Sequence, residues 1–255
     1  MRVFAPLAFI FSGLFWLCAS DSSDRKPAWD ALLLTSYNRG DATDATSYVR
    51  TPTVSAGATF PAGYQVADFD GSTSATITYP DDAAFESAPF SVIFWARIDS
   101  STSRINLIGK NTTTASPETY RGWYIHFVGT SAGSQGIAFV CGTNGVNWRG
   151  KNISGTSGYG DAVWRHYAVI CDSISDFTNW KIYINGVDQS LSIWGNQGTV
   201  STVANGEPFT IGGLTTLNQT ARFNGALDDV RIYNTVKTAA EIGAIYAEGL
   251  GASRP

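Results

Sequence analysis

The chain has 255 residues, of which 44% are hydrophobic, 13% aromatic and only 15% charged, and it carries 26 glycines and a formal net charge of −4. Average soluble domains are about 25% charged and about 7% glycine, so this composition excludes a disordered tail, a coiled coil and a helical bundle. The acidic balance also excludes a basic footprint for nucleic acid or an anionic membrane surface.

The first twenty residues, MRVFAPLAFIFSGLFWLCAS, hold one basic residue, Arg2, and no other charge before Asp21. The apolar stretch from Val3 to Ala19 has the length of a signal-peptide core, and Cys18, Ala19 and Ser20 supply small residues for cleavage after Ser20. A retained anchor is the alternative, but Pro6, Ser12 and Gly13 within the stretch favour cleavage. The expected organisation is a signal peptide at 1–20, a polar lead-in at 21–29, one domain at 30–250 and a tail at 251–255. The product would be secreted or held at the cell surface, with no membrane segment after cleavage. Without Arg2 it has 16 Lys+Arg against 21 Asp+Glu, a net −5.

Cys18 leaves with that segment, and Cys141 and Cys171 remain as an even pair in an export context. A disulfide between them is the expectation, with two buried free thiols as the alternative. With only two histidines in the chain, no Cys/His set has zinc-site spacing. Asn111, Asn152 and Asn218 begin N-x-S/T sequons that matter only in a eukaryotic secretory route.

From residue 30 the signals are those of a β-protein. An apolar patch at Trp29 to Leu34 precedes a Gly-, Asp- and Thr-rich stretch, Asn38 to Gly63, that reads as long loop. Strand-like runs follow at Gln65–Phe69, Ala75–Tyr79, Ser91–Ile98, Ile105–Gly109, Gly122–Val128 and Gly136–Cys141. They continue at Trp164–Asp172, Trp180–Asn185, Phe209–Gly212 and Gly225–Tyr233, with Asn-Gly pairs at 144–145, 185–186, 205–206 and 224–225 marking turns. In Ser91–Ile98 the residues Val92, Phe94, Ala96 and Ile98 share one face, and Ile93, Trp95 and Arg97 the other. In Trp180–Asn185 the residues Trp180, Ile182 and Ile184 oppose Lys181 and Tyr183. Many short strands without a long helix predict two antiparallel sheets packed face to face.

One helix is expected, at 239–248. Thr238 and Glu241 have capping-box spacing, Ile242, Ile245 and Tyr246 form a stripe, and Gly249 stands where the helix would end.

The run Phe223-Asn224-Gly225-Ala226-Leu227-Asp228-Asp229-Val230-Arg231-Ile232-Tyr233-Asn234, followed by the capped helix with Glu241-Ile242, resembles the C-terminal signature of laminin-G-like domains in the concanavalin A-like jelly-roll superfamily. Val66–Gly71, Phe90–Ala96, and Trp164–Val169 leading to Lys181–Gly186 resemble further strands of that family, in the same order. The resemblance covers about residues 30–250 and implies an all-β, antiparallel two-sheet β-sandwich with one short C-terminal helix. It does not fix a function, because the fold serves lectins, adhesion modules, glycan-binding appendages and enzymes.

Catalysis finds little support in the residues. Among jelly rolls of this superfamily, laminarinase-type glycosidases place two acids on one strand as E-x-D-x-x-E, so that they flank a sugar linkage. Glu86, Glu118, Glu207, Glu241 and Glu248 show no such spacing. Alginate lyases of the same fold share only Tyr124-Ile125-His126, so His126 is read as a half-buried strand residue and His166 as structural. No catalytic residue is expected. What the resemblance does imply is a calcium ion at the sandwich rim, since Asp228 matches the first acid of the D-D-V-R-I-Y signature. Asp41 and Asp44 lie in an early acidic loop that also resembles the family's. The alternative is that these acids are turn, edge or solvated residues.

Sugar binding would use exposed aromatic faces. Trp148 and Tyr159 fall in the Gly-rich stretch 142–160 and Trp194 in the loop 190–206, so these three are the ligand-binding candidates; capping of the sandwich ends is their other reading. Trp95, Trp164 and Trp180 are expected in the core. The function expected is a non-catalytic binding module for a glycan or an extracellular protein. The alternative is a self-associating structural or assembly subunit, with a polysaccharide-active enzyme third.

Overall fold

The computed structural model describes residues 31–35, 37, 41–72, 75–99, 104–112, 121–128, 136–144, 146–153, 160–213, 223–252 and 254. The expected signal peptide and lead-in, Tyr159 and Asn218 lie outside the described residues. No helix among the described residues is long and apolar enough to cross a membrane.

Two antiparallel sheets are stacked face to face. In chain order the strands are β1 (Ala31–Thr35), β2 (Thr53–Val54), β3 (Ala58–Thr59), β4 (Ala67–Asp70), β5 (Ile77–Tyr79), β6 (Phe90–Ile98), β7 (Arg104–Thr112) and β8 (Arg121–Val128). They continue as β9 (Gly136–Asn144), β10 (Asn147–Ile153), β11 (Arg165–Cys171), β12 (Lys181–Ile184), β13 (Val187–Asp188), β14 (Leu191–Gln197), β15 (Phe209–Ile211) and β16 (Asn224–Tyr233), before helix α1 (Ala239–Gly249). The first sheet runs β13-β12-β11-β6-β16-β4-β3, with β1 also on β16; the second runs β14-β10-β9-β8-β7-β15-β5-β2. The expected two-sheet sandwich with one C-terminal helix is what the chain forms.

The alternation read from β6 and β12 divides the molecule as expected. Val92, Phe94, Ala96 and Ile98 enter the inter-sheet core with Trp180, Ile182 and Ile184, where they meet Trp123, Ile125 and Phe139 of the second sheet. Aromatic rings fill much of this space: Phe139 lies 4.6 Å from Trp180 and Phe94 5.5 Å from Tyr167. The opposite face of the first sheet is apolar too, because α1 covers it. Ile93, Ala168 and Tyr183 pack with Ile242 and Ile245 in a second cluster. The Thr238–Glu241 capping box is present, which satisfies first-turn N–H groups and fixes where the helix begins.

Cys141 and Cys171 are buried free thiols, so the structure does not contain the expected disulfide. β9 and β11 bring them from opposite sheets into the core, where the two thiols influence one another and Cys171 Sγ donates to the Ser173 carbonyl at 3.5 Å. Burial, with the Cys171 thiol second, pushes the Cys141 thiol well up, so both sulfurs act as small packed groups.

Two stretches read as loop are strands. Asn38 to Gly63 contributes β2 and β3, and the regions of Trp148 and Trp194 form β10 and β14. Of the Asn-Gly pairs, Asn185-Gly186 makes the expected tight turn, with φ of 49° and 78°. Asn224-Gly225 instead lies inside β16, where Gly225 sits so close to the Arg97 carbonyl that a side chain would collide with it.

Strand β16 is central to the first sheet. One edge pairs with β6; the other pairs with β4 through Asn224–Leu227 and with β1 through Val230–Tyr233. The change of partner falls at a bulge between Asp228 and Arg231, where Asp229 adopts φ 51°. Both acids there are buried, and each is neutralised: Asp229 Oδ1 accepts from Arg231 Nε at 2.8 Å, and Asp228 Oδ2 from Arg254 Nε at 2.8 Å. Burial works against the Arg231 charge, but the adjoining Asp229 carboxylate outweighs it and holds the guanidinium above its usual range.

Next to this bulge His166 is fully buried, with its ring 5.3 Å from Trp95 and 5.5 Å from Tyr246 of α1. Burial pushes its pKa down to about 4; Asp229 opposes the shift, and Arg231 and Arg254 add to it. The folded imidazole therefore stays neutral at pH values where the unfolded one, near 6.5, takes up a proton. Its contribution is intact above about pH 6.5 and declines towards pH 4, by up to about 3 kcal/mol. In urea unfolding, the stability difference between the wild type and His166→Asn is expected to change by about 2–3 kcal/mol, against the wild type, on going from about pH 7.5 to about pH 4.5. A difference independent of pH would contradict this account of His166.

Candidate functional site

The acids expected to hold calcium are occupied by other partners. Asp44 is buried, with Oδ1 accepting from Thr46 N at 3.0 Å and Thr46 Oγ1 at 2.7 Å. Its Oδ2 accepts from Arg50 N at 3.2 Å and Arg50 Nη1 at 3.3 Å. Asp228 is paired with Arg254, and exposed Asp41 accepts from the Thr43 amide at 3.0 Å in a local turn. Calcium takes about six to eight oxygen ligands and favours free carboxylates. These three acids do not fit it, because a guanidinium already neutralises two of them. Among the described residues, no group of three or more His, Cys, Asp or Glu side chains is arranged to hold a metal ion.

The aromatic candidates fare differently. Trp148 and Trp194 are separated by much of the sequence, but β10 and β14 pair Trp148 with Gln197 and Gly150 with Gly195. This brings the two indoles together, with ring centroids 5.5 Å apart and planes inclined at 62°. Both are half-buried, and they lie on the second sheet's outer face, away from the core, rather than on loops. The Trp148 Nε1–H donates to Gln197 Oε1 at 3.1 Å, which fixes the ring's orientation.

Two glycines make room for the rings. A Cβ at Gly195 would lie 1.9 Å from Trp148 Cη2, and one at Gly150 would lie 3.0 Å from Trp194 Cε3. Each indole thus rests on the backbone of the neighbouring strand. The row continues inward, with His126 4.8 Å from Trp194 and 5.1 Å from Tyr124, on strand β8. The outward residues of β9 between them, Ala138, Val140 and Gly142, are small enough to let the aromatic groups span the strand. Sequence reading missed Gly150, Gly195 and Gln197; the signals were Trp-x-Gly at 148–150 and Trp-Gly at 194–195.

This surface can stack on the C–H face of a pyranose and can hydrogen-bond hydroxyls through nearby amides. His126 is fully buried rather than half-buried and sits beneath the platform as its support. Of the tryptophans expected in the core, Trp95 and Trp180 are buried. Trp164 is half-buried beside Arg97 and Arg254, whose guanidinium carbons each stand 5.8 Å from its ring.

Replacing Gly195 with alanine is expected to push Trp148 off its seat, at a cost of about 1–3 kcal/mol, and to change the near-ultraviolet circular dichroism of the indole pair. Asn196→Ala, on the exposed neighbouring position, should leave both unchanged. Identical spectra for Gly195→Ala and the wild type would contradict the seating of the ring.

A laminin-G family profile described as the concanavalin A-like lectin/glucanases superfamily matches residues 70–243. No match is found among curated protein sequences. Solved structures of similar fold include the binding domain of botulinum neurotoxin serotype G, with a TM-score of 0.64 at 17% identity over 86% of this chain and 51% of that one. The binding domain of Paraclostridial Mosquitocidal Protein 1 gives a TM-score of 0.64 at 14% identity over 87% and 53% of the two chains. A third is from botulinum neurotoxin type C, which depends on interaction with two ganglioside molecules to enter cells; its TM-score is 0.66 at 14% identity over 86% and 51%. This chain spans about half the length of these structures, and the likeness is one of fold. The profile covers most of the chain, which belongs to the concanavalin A-like lectin/glucanases superfamily.

Proposed function

We propose that this protein is a non-catalytic carbohydrate-binding module and that Trp148 and Trp194 are its principal contacts. The observation carrying this reading is the indole pair, 5.5 Å apart, seated on glycines and left half-open on a sheet face. Such rings are rigid before any ligand arrives, so little ordering entropy opposes binding. That a toxin of similar fold depends on gangliosides, which are sialylated glycolipids, supports a glycan as the ligand class and says nothing of the charge of this chain's ligand. The N-terminal segment 1–20 supports export, where extracellular glycans would be met. Several of the described acids are engaged: Glu86 with Lys110 at 2.6 Å, Asp229 with Arg231, and Glu241 in the helix cap. No role for calcium is assigned.

On a glycan array the 21–255 chain is expected to bind a defined set of oligosaccharides. Trp148→Ala and Trp194→Ala should each weaken that binding by about tenfold or more, the loss of about 1–3 kcal/mol that a stacked ring contributes. A silent array with concentration-dependent oligomers in light scattering would replace this reading with that of an assembly subunit. The open edge strand β14, where Ile193 is 62% exposed, is the surface that would favour such an outcome.

A further inference from the structure

We propose that the ligand of the Trp148–Trp194 platform is a single soluble chain of neutral sugars, neither an acidic glycan nor the face of a crystalline polysaccharide. This rests on the carbohydrate-binding reading above and names the class of glycan for that same site.

The first argument is charge. Around the indoles, the outward side chains of β10 and β14 that can reach a ligand are Asn152, Ser192 and Gln197, which are amides and a hydroxyl. Among the described residues, the outward positions of β8, β9, β10 and β14 hold no carboxylate, guanidinium or ammonium group. The cations of β10, Arg149 and Lys151, alternate to its other face and are engaged there. The Arg149 guanidinium lies 5.0 Å over the Phe177 ring, and Lys151 Nζ donates to the Thr178 carbonyl at 3.0 Å. An acidic sugar would bring a carboxylate to a surface whose described outward positions offer it no counter-charge. Recognition of carboxylates and sulfates relies on charge-assisted hydrogen bonds, which this platform does not supply. Amide and hydroxyl groups instead exchange hydrogen bonds with neutral hydroxyls on equal terms.

The second argument is shape. Flat crystalline surfaces are matched by coplanar rings, but these two planes are inclined at 62° with centroids 5.5 Å apart. They cannot both lie on one plane. A pyranose stacked on one indole turns its edge to the other, an arrangement open to one chain whose successive sugars twist. The glycine seats and the Trp148–Gln197 hydrogen bond hold that inclination, so the rings cannot flatten without losing both.

The test is a binding comparison with the 21–255 chain. Tryptophan fluorescence titrations would use neutral pentaoses (cello-, xylo-, laminari- and manno-) and acidic probes (oligogalacturonate, oligoalginate and sialyllactose). Sedimentation with microcrystalline cellulose and chitin would cover the insoluble surfaces. The expected result is that at least one neutral pentaose binds about tenfold or more tighter than every acidic probe. That binding should be insensitive to salt between about 0.05 and about 0.5 M, because no ion pair is screened. It should fall about tenfold or more in Trp148→Ala, and in Gly195→Ala, which tilts the ring without removing it. If an acidic probe binds best and Trp148→Ala abolishes it, this inference fails while the carbohydrate-binding reading stands. Retention on crystalline polysaccharide without affinity for any pentaose has the same consequence. If correctly folded protein, by circular dichroism, binds no glycan, both fail.

Discussion

The first sheet depends on the bulge at Asp228 and Asp229. Strand β16 must hold β6 along one edge and exchange β4 for β1 along the other, and the exchange requires a break in register. Asp229 makes the break by entering the left-handed region, which Asp tolerates better than most residues. The cost is two buried carboxylates. Arg231 and Arg254 offset it, and removing one partner of a buried pair typically costs about 3–5 kcal/mol because the other charge is stranded. Arg254 also stands 4.1 Å over the Trp95 ring, so the same side chain ties the residues after α1 to the sheet.

This arrangement separates two roles that a motif can confuse. Adjacent acids on a strand of a lectin-like sandwich resemble metal ligands, but here they are architectural. Their guanidinium partners already neutralise the charge that would attract a cation, and His166 is kept neutral beside them. The proposed recognition surface is on the other sheet, where the described outward residues of β8, β9, β10 and β14 include no acid. There the sequence spends glycine rather than charge: Gly150 and Gly195 remove side chains so that two indoles can lie on the backbone. Binding energy at such a site comes from stacking and from water released from rigid apolar faces, while the amides set orientation.

The fold was legible where burial leaves a strict pattern. β6 and β12 alternate between two apolar environments, the inter-sheet core and the underside of α1, so their period of two survives in the residues. The capping box of α1 is local and read directly. Strands β10 and β14 were not legible: Asn-Trp-Arg-Gly-Lys-Asn-Ile and Leu-Ser-Ile-Trp-Gly-Asn-Gln carry glycine and polar residues at the sheet's margin, where one face meets solvent. The two tryptophans were therefore correctly suspected of accessibility but assigned to loops. Their pairing, like the Asp228–Arg254 ion pair, joins residues distant in sequence, and no local pattern encodes it. The guanidinium partners of Asp44 and Asp228 were not legible for the same reason, because Arg50 and Arg254 reach these acids only in the folded chain. The disulfide expectation found the right neighbours, since Cys141 and Cys171 do meet, but as thiols.

The central claim is that ligand meets the second sheet's indole pair and not the acids of β16. Nitrogen-15 labelled protein, with indole N–H resonances assigned by single Trp→Phe variants, tests it directly in an oligosaccharide titration. The account predicts that the Trp148 and Trp194 signals move together with one saturation curve, while those of Trp95, Trp123 and Trp180 stay in place. Shifts confined to Trp95 and Trp164, beside Asp228 and Arg254, with Trp148 and Trp194 unmoved, would contradict it.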